Sequence, residues 1–219
     1  MNCCGAPSGF DKIFNASLAH SEAGRYLKNG IDAHTRLVVS AIAAQGIAGA
    51  SVLEVGSGVG GLHLELLKSG AARATSIDLS AAYLQEAQGI AERLGFKDAV
   101  EHRLLDFALR ADEVDPADVV VMNRVVCCYP NMRALVQPAA NHARRLLALA
   151  FPRDVWWMRL GGRLLNAWMR LTRNSFRFFL HPPADIVATA KEAGLAPVSE
   201  RLSGPWTIAV FRREAAEDY

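Results

Sequence analysis

Apolar and polar positions change period repeatedly along this chain, and the changes mark out its elements. Leu37, Val38, Ala41 and Ile42 recur at helical spacing and stop at the Gly46 to Gly49 turn, so residues 1–50 read as a mostly helical cap. From residue 51 onward, short strand-like runs at 52–55, 74–79, 100–105, 118–122 and 147–151 alternate with helical patterns. That alternation implies a mainly parallel sheet with right-handed crossovers and a ligand site at the strands' carboxyl ends. After the fourth strand, Met132, Leu135, Val136, Ala139, Ala140 and Ala143 form a helical repeat that Pro138 is expected to kink or interrupt. Residues 184–193 read as a helix stopped by Gly194, and the runs 197–202 and 206–211 around Ser203-Gly204-Pro205 predict a closing antiparallel hairpin. The expected fold is α/β, with seven strands, mostly parallel.

Candidate chemistry gathers at the strand ends. The first strand runs into Glu54-Val55-Gly56-Ser57-Gly58-Val59-Gly60-Gly61, where glycines permit positive φ and bring bare backbone against a ligand. Two templates fit. Gly56, Gly58 and Gly61 match the G-x-G-x-x-G cradle of a dinucleotide pyrophosphate. Glu54, Gly56, Gly58 and Gly60 form E-x-G-x-G-x-G, which resembles the first motif of class I S-adenosylmethionine-dependent methyltransferases. A carboxylate at Glu54 repels a pyrophosphate and attracts a sulfonium and an α-ammonium, which favours the second template. Asp78-Leu79 ends the second strand where a ribose diol needs acceptors, a feature both templates share. Asp106-Phe107, after the third strand, resembles the third methyltransferase motif, whose acid accepts from the adenine amino group. Asn123 and the Cys127-Cys128-Tyr129-Pro130 run follow the fourth strand, where that fold places groups beside the transferable methyl. The expected cofactor is S-adenosyl-L-methionine. A nicotinamide or flavin oxidoreductase and a non-catalytic cofactor- or partner-binding module are the alternatives.

Composition narrows the picture modestly. The chain has 219 residues, room for one domain, and 24 basic against 22 acidic residues leave a net charge of +2, which calls for no nucleic-acid partner. It has no apolar run of about 18 residues, and residues 1–20 lack a leader pattern, so a cytoplasmic protein is expected. The four cysteines fall as Cys3-Cys4 and Cys127-Cys128, which is not zinc spacing, and no metal is expected; a soft metal or metalloid would need the N-terminal arm to bring both pairs together. The insert at 152–183 carries six arginines against Asp154 alone, a local charge of +5. On a helical wheel Arg159, Arg163, Arg170, Arg173 and Arg177 share an arc of roughly 80°, with Trp157, Leu160, Leu164, Trp168 and Leu171 opposite. This is the pattern of a basic amphipathic helix that Gly161-Gly162 bends or splits. It fits a core-packing helix, a peripheral contact with an anionic membrane anchored by Trp156 and Trp157, or a lid over a flat, apolar, carboxylated acceptor.

Over nearly its whole length the chain resembles a group of bacterial class I methyltransferases related to magnesium-protoporphyrin O-methyltransferase. The resemblance lies in Cys3-Cys4-Gly5, Tyr26, the run from Val52 to Gly61, the run from Val125 to Pro130, Phe151-Pro152-Arg153, Trp156-Trp157 and His181-Pro182. It implies the Rossmann-like class I methyltransferase fold in one domain over 1–219: a helical cap to residue 50, a cofactor-binding core at 51–151, a substrate-side insert at 152–183, and a terminal helix and hairpin at 184–219. It implies methylation, with O-methylation favoured, of a small-molecule acceptor. Tyr26 stands for a tyrosine of the family's N-terminal arm, and Cys128 occupies the place of a histidine before the Tyr-Pro pair, so Tyr26, Cys128 and Tyr129 are the catalytic candidates. Arg153, Trp157 and His181 are the substrate-side candidates. A carboxylate acceptor needs only orientation, whereas a phenol, thiol or nitrogen needs a base, for which His142 and His181 are the candidates. Oligomeric state is left open.

Overall fold

A computed structural model describes residues 10–214, so the Cys3-Cys4-Gly5 segment lies outside the described residues. The cap consists of α1 (Phe10–Ile13), α2 (Ala16–Asn29) and α3 (Ala33–Ala43). Asn15 and Asp32 start the two longer helices by accepting the free N–H groups of Leu18 and Thr35. The rest follows as β1 (Ser51–Val55), α4 (Gly61–Lys68), β2 (Arg73–Asp78), α5 (Ala81–Arg93), β3 (Val100–Leu104), α6 (Phe107–Arg110), β4 (Ala117–Asn123), α7 (Met132–His142) and β5 (Ala143–Pro152). It ends with α8 (Trp156–Leu171), α9 (Pro183–Glu192), β6 (Leu195–Ser203) and β7 (Trp206–Arg213).

The seven strands form one sheet in the order β3-β2-β1-β4-β5-β7-β6. Parallel pairing runs from β3 through to β5, and β7 alone is antiparallel to its neighbours. The chain leaves β1 toward β2 on one side and places β4 on the other. The direction of winding therefore reverses between β1 and β4, and a crevice opens at their carboxyl ends.

Two apolar layers clamp this sheet, and period-two alternation assigns each strand residue to one of them. Val52, Val119, Val121, Leu146 and Ala148 join the layer under α3, α4 and α5. Leu53, Val120, Met122, Leu147 and Leu149 join the layer under α7 and α9. Burial on both faces explains why the central strands are almost wholly apolar. Phe151 and Phe211 are fully buried in the second layer, each contributing roughly 1.5–3 kcal/mol of transfer free energy.

Three expectations change. α7 continues through Pro138, and Ala143 begins β5 where the sequence pattern placed it on the helix. The insert helix α8 is one uninterrupted element despite Gly161-Gly162, but it stops at Leu171; Arg173 lies beyond it with φ 54°, so Arg173 and Arg177 are not part of an arginine stripe. Nor does α8 pack its apolar side on the core: none of its residues is buried, and Trp157, Leu160, Leu164, Trp168 and Leu171 are exposed. Among the described residues no helix is long and apolar enough to cross a membrane.

Candidate functional site

The crevice at the carboxyl ends of β1 and β4 holds a cavity of about 550 Å³, with a second of about 50 Å³ beside it. Phe10, Gly56, Asp78, Val125 and Cys128 border both. The larger volume lies within the roughly 300–1,000 Å³ range of small-molecule and cofactor sites.

The glycine turn forms the floor. Gly56 donates its N–H to Ile77 O at 2.8 Å and Ser57 does so at 3.0 Å, which pins the turn to the end of β2. Gly56 has φ 69°, and a Cβ there would overlap Val125 Cγ2 and stand 3.0 Å from Cγ1, so only glycine lets the two segments meet. Gly60 caps α4 at φ 81°, where a Cβ would lie 2.7 Å from the His63 ring. It does not border either cavity, and its lack of a side chain lets His63 tuck beneath the turn.

Three acids then line the cavities in strand order. Glu54, at 2% exposure, accepts from His63 N (3.1 Å) and His63 Nδ1 (2.7 Å) through Oε2, leaving Oε1 with no hydrogen bond among the described residues. Asp78 accepts Gly58 N on Oδ2 and Ser80 N on Oδ1, both at 2.9 Å. Burial pushes its carboxyl pKa up against those backbone donors, and the charge of Glu54 adds to the rise. A carboxylate offers about four acceptor positions, so acceptor capacity remains at Asp78 for a ribose hydroxyl beyond the Gly58, Ser80 and Leu79 backbone donors. Asp106 caps Ala108 N at 3.1 Å and receives the Tyr129 hydroxyl at 3.3 Å, and burial raises its pKa as well. Phe107 and Leu79 complete the smaller cavity.

Opposite the turn, the cap supplies a polar wall that the strand-end motifs do not announce. Arg124 follows β4 with a left-handed backbone, φ 63°, and its guanidinium donates to Asp32 Oδ2 (2.9 Å) and Thr35 Oγ1 (3.1 Å). Asn123 donates to Thr35 Oγ1 at 3.3 Å and pairs through Oδ1 with His34 Nε2 at 3.1 Å. Burial, then the Arg124 charge, lowers the His34 pKa, and His34 Nδ1 is buried with no partner among the described residues. The carboxyl of Asp32 is subject to burial, yet the Thr35 N–H and Arg124 hold it below its ordinary value. The Asp32-x-x-Thr35 cap is legible in sequence; its meeting with Arg124 is not.

Among the candidates, Tyr26, Glu54, Gly56, Gly58, Asp78, Asn123 and Cys128 border the larger cavity, and Leu79, Asp106, Phe107 and Tyr129 border the smaller. Tyr26 packs its ring over Gly61 while its hydroxyl donates to Glu65 Oε1 at 3.0 Å; burial and the Glu65 charge raise its pKa to about 12. The hydroxyl of Tyr129 sits with Asp106, at the far end from Asn123. Cys128 lies at the junction, its sulfur 4.0 Å from that of Cys127. The hydrogen bond between the two thiols lowers the Cys128 pKa against burial, and the same bond together with burial pushes Cys127 up.

Arg153, Trp157 and His181 border neither cavity. Arg153 bonds to Gly204 O, Trp157 faces solvent on α8, and His181 meets Tyr129 O at 3.0 Å, bracing the turn from behind. His142 faces three carbonyls, those of Pro138, Ala111 and Val114, and is a structural link.

Comparison with known proteins agrees with this geometry. A family model described as a methyltransferase domain matches residues 48–150. Among solved structures, the chain is similar to magnesium protoporphyrin IX methyltransferase from Synechocystis PCC 6803 with bound SAH, at 20% identity over 93% of this chain and 97% of that one, TM-score 0.73. An O-methyltransferase family protein from Burkholderia thailandensis gives 19% identity over 97% and 64%, TM-score 0.73. An O-methyltransferase family 2 protein from Planctomyces limnophilus in complex with apigenin gives 21% over 93% and 63%, TM-score 0.64. No curated protein matches the chain.

Proposed function

We propose that the protein methylates a small-molecule acceptor, at oxygen, a reading supported by the match of residues 48–150 to a methyltransferase-domain model and by the class I S-adenosylmethionine-dependent fold of the sheet. The observation that carries this reading is the row of acids Glu54, Asp78 and Asp106 at successive strand ends, all bordering adjoining cavities over a turn only glycine can make. The residues fit S-adenosyl-L-methionine: Asp78 retains acceptor positions for a ribose, Asp106 and Phe107 line the adjoining recess where an adenine would enter, and Glu54 presents a carboxylate to a cationic centre. When bound, that cofactor supplies a methyl group activated by a sulfonium.

The protein's share of the chemistry is placement. Methyl transfer disperses charge, so the chain must hold the acceptor in line and exclude water rather than supply a strong acid. Asn123, Arg124 and Cys128 border the larger cavity beside the glycine turn, and Phe10, Phe14 and Leu62 line it with apolar surface. A flat acceptor bearing a carboxylate would draw on Arg124, whose guanidinium keeps N–H donors beyond those given to Asp32 and Thr35; Arg25 also borders the cavity, paired with Glu22. Such an acceptor is already deprotonated near neutrality, and Arg124 would orient it without a base. The likeness to enzymes named for magnesium protoporphyrin IX and to an apigenin complex supports a ring-bearing acceptor. A cytoplasmic location is part of this proposal.

Calorimetry with S-adenosylhomocysteine tests the site. Native protein should bind, and Asp78→Ala should lose about a hundredfold in affinity, equivalent to about 3 kcal/mol for two charge-assisted hydrogen bonds. No binding by the native chain, or equal binding by the variant, rejects the assignment. Labelled methyl donor with cell extract then identifies the acceptor.

A further inference from the structure

We infer that α8 is a membrane-docking helix, which lays an outward apolar stripe into the interface of an anionic lipid bilayer. Trp156 (75%), Leu164 (62%), Trp168 (61%) and Leu171 (77%) are largely exposed, and Trp157 and Leu160 extend the same side. At 100° per residue these six span an arc of about 120°. A stripe of this size facing water marks an interaction surface rather than a stray apolar residue.

The helix is fixed in this orientation. Its opposite side carries the half-buried Met158, Gly162, Asn166 and Met169. Asn166 clamps the backbone of Phe178, donating to its carbonyl at 2.7 Å and accepting its N–H at 2.8 Å, while Gly162 lets the Phe178 ring approach. Rolling the apolar side inward would break both contacts. The stripe is not a lid, because no α8 residue borders either cavity.

Charge selects the occupant. Arg159, Arg163 and Arg170 run along one edge of the stripe within about 40° of arc. Asp154, the sole acid of the insert, is taken by Arg159 at 2.6 Å and 2.7 Å, so Arg163 and Arg170 have no acidic partner among the described residues. A second copy of this chain would bring two inserts of +5 together, whereas anionic headgroups answer that charge. Tryptophan at the margins of such a helix is suited to the headgroup boundary. The docked helix would also have a fixed relation to the site, since Phe179 N, just past the clamp, donates to Cys127 O at 2.8 Å. The inference concerns a surface and stands apart from the identity of the methyl acceptor.

The test is co-sedimentation of the whole chain with phosphatidylcholine vesicles, with and without phosphatidylglycerol, at low and high salt. The native protein should pellet with the anionic vesicles at low salt, at least about tenfold more than with neutral ones, and its tryptophan emission should shift to the blue. Leu164→Glu with Trp168→Glu should lower the bound fraction about tenfold or more while leaving the thermal melt and S-adenosylhomocysteine affinity unchanged. Arg163→Glu with Arg170→Glu should remove the preference for anionic vesicles. Native protein that stays in the supernatant, equal binding by the Leu164/Trp168 variant, or a dimer that this variant dissolves in place of vesicle binding would each overturn the inference.

Discussion

Gly56→Ala and Gly58→Ala look alike in sequence, yet the structure gives them different costs. Both residues hold left-handed backbone, φ 69° and φ 56°, so each alanine carries a strain of roughly 1–2 kcal/mol. At Gly58 the added methyl meets nothing closer than Tyr83 Cδ1 at 3.7 Å, ordinary contact, and the strain is the whole effect. At Gly56 the methyl overlaps Val125, adding roughly 1–3 kcal/mol of overpacking, for a total of about 2–5 kcal/mol. For a chain of this length that is a fall in melting temperature of roughly 4–20 °C, against roughly 2–8 °C for Gly58→Ala. Urea unfolding of the two variants, followed by thermal melts, measures the difference. Val125→Ala supplies the decisive comparison: combined with Gly56→Ala it should recover about 1–3 kcal/mol relative to the sum of the single effects. Strict additivity, or equal destabilisation by the two glycine variants, would refute the claim that Gly56 is held by its contact with Val125.

Two further outcomes follow from the same geometry. Burial raises the pKa of Asp78 and Asp106 in the folded chain, so their contribution to stability is fullest below the unfolded carboxyl value and is lost as pH rises through the folded one. Ligand binding runs oppositely because it uses the carboxylate: S-adenosylhomocysteine affinity should weaken as pH falls through the raised Asp78 value, and calorimetry across that range finding no change would count against it. His142→Ala should lower stability by roughly 1–3 kcal/mol, since it strands buried carbonyls, yet leave that affinity within about twofold, as thermal melts and calorimetry would report.

How much of this was legible beforehand depends on the range of the interaction. Asp78 and Asp106 could be found because an acid directly after an apolar run is a local pattern, and the parallel sheet then aligns such positions without further information. Arg124 could not, because its partner Asp32 lies 92 positions away and its left-handed backbone has no sequence signature outside glycine and asparagine. Glu54 was readable as an acid at the mouth, but not as one already holding the first turn of α4 through His63. For α8, periodicity revealed which residues share a side and said nothing of which side meets the protein; that is decided by Asn166 and Phe178. Its end was also hidden, because Arg173 and Arg177 continue the helical period after the backbone has left the helix. Arg177 instead bonds the carbonyls of Asn174 and Phe176.

The left-handed corner at Arg124 has a consequence for how such a site can change. Glycine would sit there at ease, releasing strain of roughly 1–3 kcal/mol, but it would surrender the ion pair with Asp32 and leave the Thr35 hydroxyl to Asn123 alone among the described residues. The same corner steers Val125 beneath Gly56. Local comfort and long-range grip are therefore opposed at one position.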